Sequence, residues 1–384
     1  MMREGWQQTS LGEAVTIASG QVDPKEEEIA DLISVGPDNL ISGGGLSRSG
    51  LKTARELGQI SGKYAFDAQA ILYSKIRPNL NKAALPDFDG ICSADMYPMW
   101  VSDPMKADRT FIYYVLTSER FVADATSRSF RTGLPKINRP DLETIEFPLP
   151  PLPEQRKIAA ILRTWDEALE KLDALRTLNI SRRVWLRTHL FTGRVRLPGF
   201  TGEWRKVPLS DVLHEHGSKS TGAEEVFSVS VHKGLVNQVE HLGRSFSAAS
   251  TDHYNRVLPG DIVYTKSPTG DFPLGIIKQS KIDREVIVSP LYGVFTPKSY
   301  ALGVILDALF ESPLAARNYL HPLVQKGAKN TIAVTNKQFL EGKLHLPMDP
   351  DEQAAIADVV NTSHAELACL DAEIKALTDQ KRGL

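Results

Sequence analysis

The sequence holds only two cysteines in 384 residues, Cys92 and Cys369, with no Cys-x-x-Cys pair and no spacing that would ligate zinc. That excludes a disulfide-stapled scaffold and a zinc ribbon or finger, and points to a reducing compartment with both thiols as small buried apolar groups. Long apolar runs are missing as well. The best one, Ala301 to Phe310, is broken by Asp307, well short of the roughly 18 residues that a membrane span needs. The opening MMREGWQQTS carries no apolar signal core. These absences predict a soluble, cytoplasmic protein with no membrane partner. An excess of one charge is also lacking: 45 Lys plus Arg against 47 Asp plus Glu leave a net of −2. Taken as a total, this argues against a polycation that coats nucleic acid. With 42% apolar and 24% charged residues, the chain is an ordinary globular protein, long enough for two or more domains.

Catalytic motifs are scarce too. Gly58-Gln59-Ile60-Ser61-Gly62-Lys63 is one residue too short for a phosphate-binding loop and runs on into Tyr64. Gly43-Gly44-Gly45 has neither the preceding strand nor the following helix of a dinucleotide fingerprint, and reads as a flexible turn. His214-Glu215 would need a second histidine at 218, where Ser218 stands. His214 and His216 read as surface or loop residues, not as a metal pair. Glu341-x-Lys343 resembles half of a metal-dependent nuclease site, but the nearest preceding Pro-Asp is Pro140-Asp141, some 200 residues away. No Asn-Pro-Pro-aromatic or Asp-Pro-Pro-aromatic element for base amino-methylation is present. The prediction is a chain with no catalytic residue, no metal site and no cofactor of its own.

What the sequence does contain is a repeat. Glu154-Gln155 followed by Ile158-Ala159 returns as Glu352-Gln353 and Ile356-Ala357, an offset of 198. Trp6-x4-Leu11 returns at the same offset as Trp204-x4-Leu209. Looser echoes link Ile71–Lys75 with Ile262–Lys266 and Ile137-Asn138 with Thr335-Asn336. Residues 1–148 and 198–345 are rich in Gly, Pro and short apolar runs and read as two mixed α/β domains. Strand-like runs include Ala70–Tyr73, Asp261–Tyr264, Gly275–Ile277 and Val286–Val288, with short helices at Phe111–Leu116 and Ala301–Phe310.

Residues 149–197 and 346–384 are different in kind, with helical spacing of apolar residues. In the second stretch Ile356, Val360, Ser363, Leu367, Leu370, Ile374, Leu377 and Lys381 alternate steps of four and three, a coiled-coil seam. The first stretch keeps that seam through Ile158, Leu162, Trp165, Leu169 and Leu172, then is expected to slip at Arg176, with Leu175 and Leu178 taking over. Both helices start at a proline, Pro153 and Pro350. At 1.5 Å per residue the longer spans about 55 Å. Residues 149–197 carry a net +5 and residues 346–384 a net −5. Two long helices of opposite charge, each with an apolar seam, are expected to pair.

The stretch FPLPPLPEQRKIAAILRTWDEALEKLDALRTLNISRRVWLRTHLFTGRVRLPGF, residues 147–200, closely resembles the shared helical region of type I restriction–modification specificity subunits. The resemblance rests on Leu149-Pro150-Pro151, Glu154-Gln155, Ile158, Leu162, Asp166, the Leu190-Phe191-Thr192-Gly193 turn and Arg196-Leu197, on the weaker second copy, and on Trp6 and Trp204. It implies an α+β protein: two target-recognition domains joined by two long antiparallel coiled-coil helices, with an internal pseudo-two-fold repeat. It implies that each domain reads one half of a split double-stranded DNA target. The implied partners are two modification (methyltransferase) subunits bringing S-adenosylmethionine, and restriction subunits bringing ATP- and Mg-dependent translocation and cleavage. A complex without restriction subunits is compatible with it. The second helical region departs from the pattern: it stops at Leu384 before any Leu-Phe-Thr-Gly turn and has His364 where the first has Asp166. Either the natural chain is short or its end is missing, and a less complete second partner surface is expected. The competing readings are a stand-alone DNA-modifying or DNA-cleaving enzyme and a coiled-coil adaptor that binds no DNA.

For DNA, local charge matters more than the total, because Lys and Arg hold phosphates while side chains reaching base edges read sequence. Residues 63–82 carry Lys63, Lys75, Arg77 and Lys82 against Asp67 alone, interleaved with Tyr64, Tyr73 and Asn79. Residues 120–139 carry Arg120, Arg128, Arg131, Lys136 and Arg139 against Asp124 alone. In the second domain the candidates are Lys326, Lys329 and Asn330 around Gly327, Lys266 with Ser267 and Thr269, and Lys219 with Ser220 and Thr221. Arg131 and Lys329 are expected to serve opposite halves of the target.

Overall fold

The computed structural model describes residues 3–129, 134–242, 251–326 and 332–382, with only the backbone of 241–242, 325–326 and 332–333. It falls into two compact units, Met1–Lys171 with Lys375–Leu384, and Leu172–Ile374.

In the first unit, the strand Gln7–Ser10 pairs antiparallel with Glu146–Leu149, so the domain closes just where the long helix begins. Behind this clasp lies an antiparallel sheet in the order Val15–Ile17, Met96–Val101, Ile71–Ser74, Ala83–Ala84. A second sheet in the order Lys52–Thr53, Ile33–Val35, Gly90–Cys92, Tyr64–Phe66 contains one parallel pair. The helices Arg109–Thr117 and Glu119–Ser127 start at side-chain caps from Asp108 and Ser118, which satisfy otherwise orphaned N–H groups. Leu11, Ile71, Met99, Ile112 and Leu116 form the fully buried core, and Ile158, Ala159 and Leu162 of the long helix pack onto it.

The second unit repeats the plan with different residues. Trp204–Pro208 pairs antiparallel with Lys343–Pro347. The sheet runs Leu213–His214, Gly293–Pro297, Ile262–Tyr264, Ile277–Gln279, the same order as in the first domain. Helices Tyr300–Phe310 and Pro313–Leu320 follow caps at Ser299 and Ser312. The echo near the domain's end shifts by one residue, since the structurally equivalent caps are Asn138 and Thr335. Phe339 is fully buried, stacked on Tyr264 and Phe295 with centroids 4.9 Å away. Leu190 and Phe191 enter this core together with Ile356 and Val360, so the Leu-Phe-Thr-Gly turn anchors the second domain.

The 198-residue offset has a physical basis in a clasp made twice. Trp6 Nε1 donates to Glu154 at 3.1 Å, and Trp204 Nε1 to Glu352 at 3.2 Å, both across 148 residues. The neighbouring glutamines are buried and tie helix to domain. Gln155 Nε2 donates to the Pro150 and Lys106 carbonyls at 2.7 and 2.8 Å, and its Oε1 accepts from the Asp108 amide at 2.8 Å. Gln353 Nε2 donates to the Pro347 carbonyl at 2.8 Å, and its Oε1 accepts from Ser299 Oγ at 3.1 Å. Each glutamine thus grips the cap residue of its domain's helix, and a buried amide can be retained only if it is satisfied in this way.

The long helices are Leu152–His189, 38 residues or about 57 Å, and Pro350–Arg382, 33 residues or about 50 Å. Their seams are covered as the spacing predicts. Ile356, Val360 and Leu367 are buried, and Ile158, Leu162, Trp165, Leu169, Leu172, Leu370, Ile374 and Leu377 half-buried. Within the second unit Arg176 bonds Asp371 at 2.5 Å and Arg182 pairs with Glu366, the falling partner numbers of an antiparallel pair. Within the first unit Asp166 accepts from Tyr114 Oη at 2.7 Å and pairs with Lys381.

One expectation is overturned. The seam does not slip at Arg176. Arg176, Asn179, Arg183 and Leu186 continue the same four-three steps half-buried, while Leu175 and Leu178 are 48% and 65% exposed. The acidic face of the second helix draws arginine into the seam, and an ion pair there replaces apolar contact. Leu178→Lys is therefore expected to change the stability of the isolated chain by no more than about 0.5 kcal/mol. Leu367→Lys, at a buried seam position, would be strongly destabilising. Urea denaturation of the two variants checks the register.

Candidate nucleic-acid interface

In the first domain two basic stretches that lie 60 residues apart in sequence meet on one surface. The strand Ile71–Ser74 leads into Lys75, Ile76 and Arg77, and residues 135–139 run alongside. Arg77 N donates to the Pro135 carbonyl at 2.8 Å, Ile137 N to the Lys75 carbonyl at 2.9 Å, and Ile76 bridges Lys136. This alignment gathers Lys75, Arg77, Lys136 and Arg139. Lys75 Nζ lies 5.0 Å from the Tyr97 ring centroid and the Arg139 guanidinium 5.7 Å from it. Asp95 is the acid of the cluster, 3.4 Å from Lys136 Nζ. Burial chiefly, and then the charge of Lys136, depress the pKa of Lys75, with Asp95 opposing. Crowded ammonium groups of this kind are relieved by a bound anion, and closely spaced phosphates supply one.

The equivalent place in the second domain is less cationic. There the strand Ile262–Tyr264 leads to Thr265 and a half-buried Lys266, whose pKa is lowered chiefly by burial and raised in part by Glu215. Asn336 Nδ2 donates to Glu215 at 2.5 Å, and Lys219 Nζ to Asn255 Oδ1 at 2.5 Å. His216 is not free to bind a metal: its Nε2 meets the buried Asp261 at 3.0 Å and its Nδ1 accepts from the Ser218 amide at 3.0 Å. His214 is exposed.

Other predicted residues are used differently. Lys63 is turned inward, 7% exposed, with Nζ donating to the Ser61 carbonyl and hydroxyl at 2.9 and 2.8 Å. It adds no charge to the surface, because the strand that begins at Tyr64 places it beside the buried Cys92. Arg128 is engaged by Asp124 at 3.1 Å and donates to Thr144 Oγ1 at 2.7 Å. Lys82 Nζ donates to the Pro37 carbonyl at 2.8 Å, and Asn79 is exposed beside Arg77. Arg131, Lys329, Asn330 and the side chain of Lys326 lie outside the described residues. Charge runs missed the parts played by Tyr97 and Asp95, because Tyr97 lies on a different strand and Asp95 in the turn that leads into it. Their signal was the aromatic and acidic pair beside the Met96–Val101 strand, which carries no meaning until that strand is placed next to Ile71–Ser74.

Elsewhere, burial pushes the Cys92 thiol up to about 12, while Cys369 is exposed, against the expectation for that thiol. A cavity of about 530 Å³ in the second unit, lined by Arg183, Arg187, Phe272, Lys278 and Glu311, is laced with ion pairs. Among the described residues, no group of three or more His, Cys, Asp or Glu is arranged to hold a metal, and no helix is long and apolar enough to cross a membrane.

Comparison with known proteins agrees with this architecture. Residues 3–179 match the family described as type I restriction modification DNA specificity domain. The Type I restriction enzyme EcoDI specificity subunit of Escherichia coli is 39% identical over 153 residues, 40% of this chain and 33% of that one. The Type I restriction enzyme MjaVIII specificity subunit of Methanocaldococcus jannaschii is 26% identical over 232 residues, 55% of this chain and 53% of that one. The matched stretches thus span a third to about a half of these curated relatives. The crystal structure of a Type-I restriction-modification system S subunit from M. genitalium superposes over 98% of this chain and 94% of its own, with a TM-score of 0.59 at 17% identity, a likeness of fold. The duplicated clasp and the paired long helices thus stand in a chain whose residues 3–179 are similar to the type I restriction modification DNA specificity domain.

Proposed function

We propose that this chain is the DNA-recognition subunit of a type I restriction–modification complex and reads a bipartite duplex target, one half with each domain. The observation that carries this reading is the duplication itself: two domains with one strand order, each clasped by a Trp–Glu bond to the start of its own long helix. The cluster of Lys75, Arg77, Lys136 and Arg139 supplies the phosphate-binding charge that the near-neutral total conceals. The chain acts in the cytoplasm and scaffolds two modification subunits and, where present, restriction subunits. S-adenosylmethionine, ATP and Mg belong to those partners, and the chain itself catalyses nothing.

The test is selection from a randomised duplex DNA library by the purified chain, alone and with its modification subunits. A motif of two defined blocks flanking an unspecified gap is expected. A single block, or no enrichment at physiological salt, would count against the reading. Methylation or cleavage by the chain alone, given only S-adenosylmethionine or a metal, would restore the stand-alone enzyme. Lys136→Ala is expected to weaken binding equally across sequences and to lower the salt slope by about one. Titration at several salt concentrations measures it.

A further inference from the structure

We infer that Arg77 is the base-reading residue of the first domain and that it reads a guanine. The inference rests on the DNA-binding function proposed above and names a specificity-determining side chain within it. Among the described residues, three that are not glycine have positive φ: Arg77 at 47°, Asn81 at 51° and Lys266 at 58°. Asparagine tolerates this region through local hydrogen bonds, but arginine and lysine carry a full steric penalty there. Arg77 also precedes Pro78, which disfavours helical geometry at the residue before it. Glycine would occupy the position without strain, so the arginine is held there at a cost that its side chain must justify.

The loop around it is over-determined. Leu80 N donates to the Arg77 carbonyl at 2.9 Å and Asn81 N to the Pro78 carbonyl at 2.9 Å. Asn81 Nδ2 donates to the Thr117 carbonyl at 2.8 Å, and its own carbonyl accepts from Gly43 N at 2.9 Å. The triple-glycine stretch, expected to be a flexible turn, is a brace for this loop. With the backbone locked, the Arg77 side chain is exposed and, among the described residues, has no ion-pair or hydrogen-bond partner. Lys75, Lys136 and Arg139 by contrast are each engaged with Tyr97 or Asp95. A presented, unpaired guanidinium beside a phosphate-binding cluster matches guanine, whose O6 and N7 accept its two parallel donors. A rigid mount also removes the ordering cost that a mobile loop would add on binding.

The second domain repeats the arrangement with unlike residues. Lys266 follows the equivalent strand in the left-handed conformation, Pro268 comes next but one, and Gly270 returns to positive φ at 48°. In both loops the two left-handed residues are four apart with a proline between them. In each domain a cation in the left-handed conformation thus follows the corresponding strand within three residues, although Lys266 is half-buried and in the repeat aligns with Lys75.

The experiment is library selection with the full chain carrying Arg77→Gly, Arg77→Lys or no change, using randomised duplex DNA. Glycine suits the backbone conformation, so Arg77→Gly keeps the loop folded, and matched near-UV circular dichroism checks it. The expected result is that one G·C position in one block loses its preference by about 5- to 150-fold in Arg77→Gly. The other block stays intact, and Arg77→Lys retains part of the preference. An unchanged motif in Arg77→Gly, or a loss of affinity equal for all sequences, overturns the inference while leaving the bipartite reading in place. Failure of the unmodified chain to select a split motif overturns both.

Discussion

Replacing Glu352 with alanine is expected to cost the second domain about 4 kcal/mol, within the range for breaking a buried ion pair from one side. Glu352 is 1% exposed. It accepts from Arg196 Nε at 2.5 Å and Nη2 at 2.7 Å, and from Trp204 Nε1 at 3.2 Å. Its removal strands the guanidinium and an indole N–H and opens the clasp between domain and helix. The repeat supplies an internal control. Glu154 is half-buried and, among the described residues, accepts only the side-chain bond from Trp6 Nε1 at 3.1 Å, so Glu154→Ala should cost about 1 kcal/mol. Urea denaturation of both variants, followed by tryptophan fluorescence, compares them, and equal losses would contradict the asymmetry.

The second large effect concerns acid. Glu311 has a pKa lowered to about 2 from 4.5. Burial by itself raises it, but the hydrogen bond from His364 and the charges of Lys278 and Arg183 outweigh burial. His364 Nε2 lies at 3.3 Å, Arg183 Nη2 at 3.0 Å and Arg187 Nη1 at 3.9 Å. Since the folded pKa is depressed, this contribution is fully present above pH 4.5 and is lost as pH falls towards 2. Its size is about 3 kcal/mol. Glu311→Gln is expected to lower stability at pH 7 by about that amount and to flatten the loss between pH 4.5 and 2. Urea midpoints at pH 7, 4 and 3 test this, and a variant as acid-sensitive as the parent would refute it.

The same network answers the puzzle of His364. In the first repeat the acid, Asp166, sits on the helix and meets Tyr114 and Lys381. In the second, the acid is Glu311 on the domain, and the two long helices contribute Arg183 and His364 respectively. Arg183 and Lys381 are themselves 198 residues apart. The charges have changed sides while the tie between domain and helix is retained, and comparing Asp166 with His364 in isolation conceals this.

Much of the fold was legible because the signals are local. Helical periodicity is set by 3.6 residues per turn, so the seam at Ile356, Val360 and Leu367 could be traced from spacing alone. The strand runs at Ile71 and Ile262 were found within a residue of their observed bounds. The seam slip was misjudged at Arg176 because apolarity was taken as the only currency of a seam. The acidic residues that make arginine welcome there lie on the other helix.

The candidate nucleic-acid surface was legible only in part. Basic stretches at 63–82 and 120–139 were visible, but not that Lys63 turns inward, Arg128 is neutralised and Lys75 meets Lys136. By itself, the sequence determined the repeat, the helices with their opposite charges, and the absence of catalytic motifs, since each of these is a pattern along the chain. Only the tertiary structure decided which cations converge, what Glu154 and Glu352 bind, and that Arg77 is presented on a braced, left-handed loop. Such pairings depend on strand order and on contacts between residues tens to hundreds of positions apart, and no local rule of spacing carries that information.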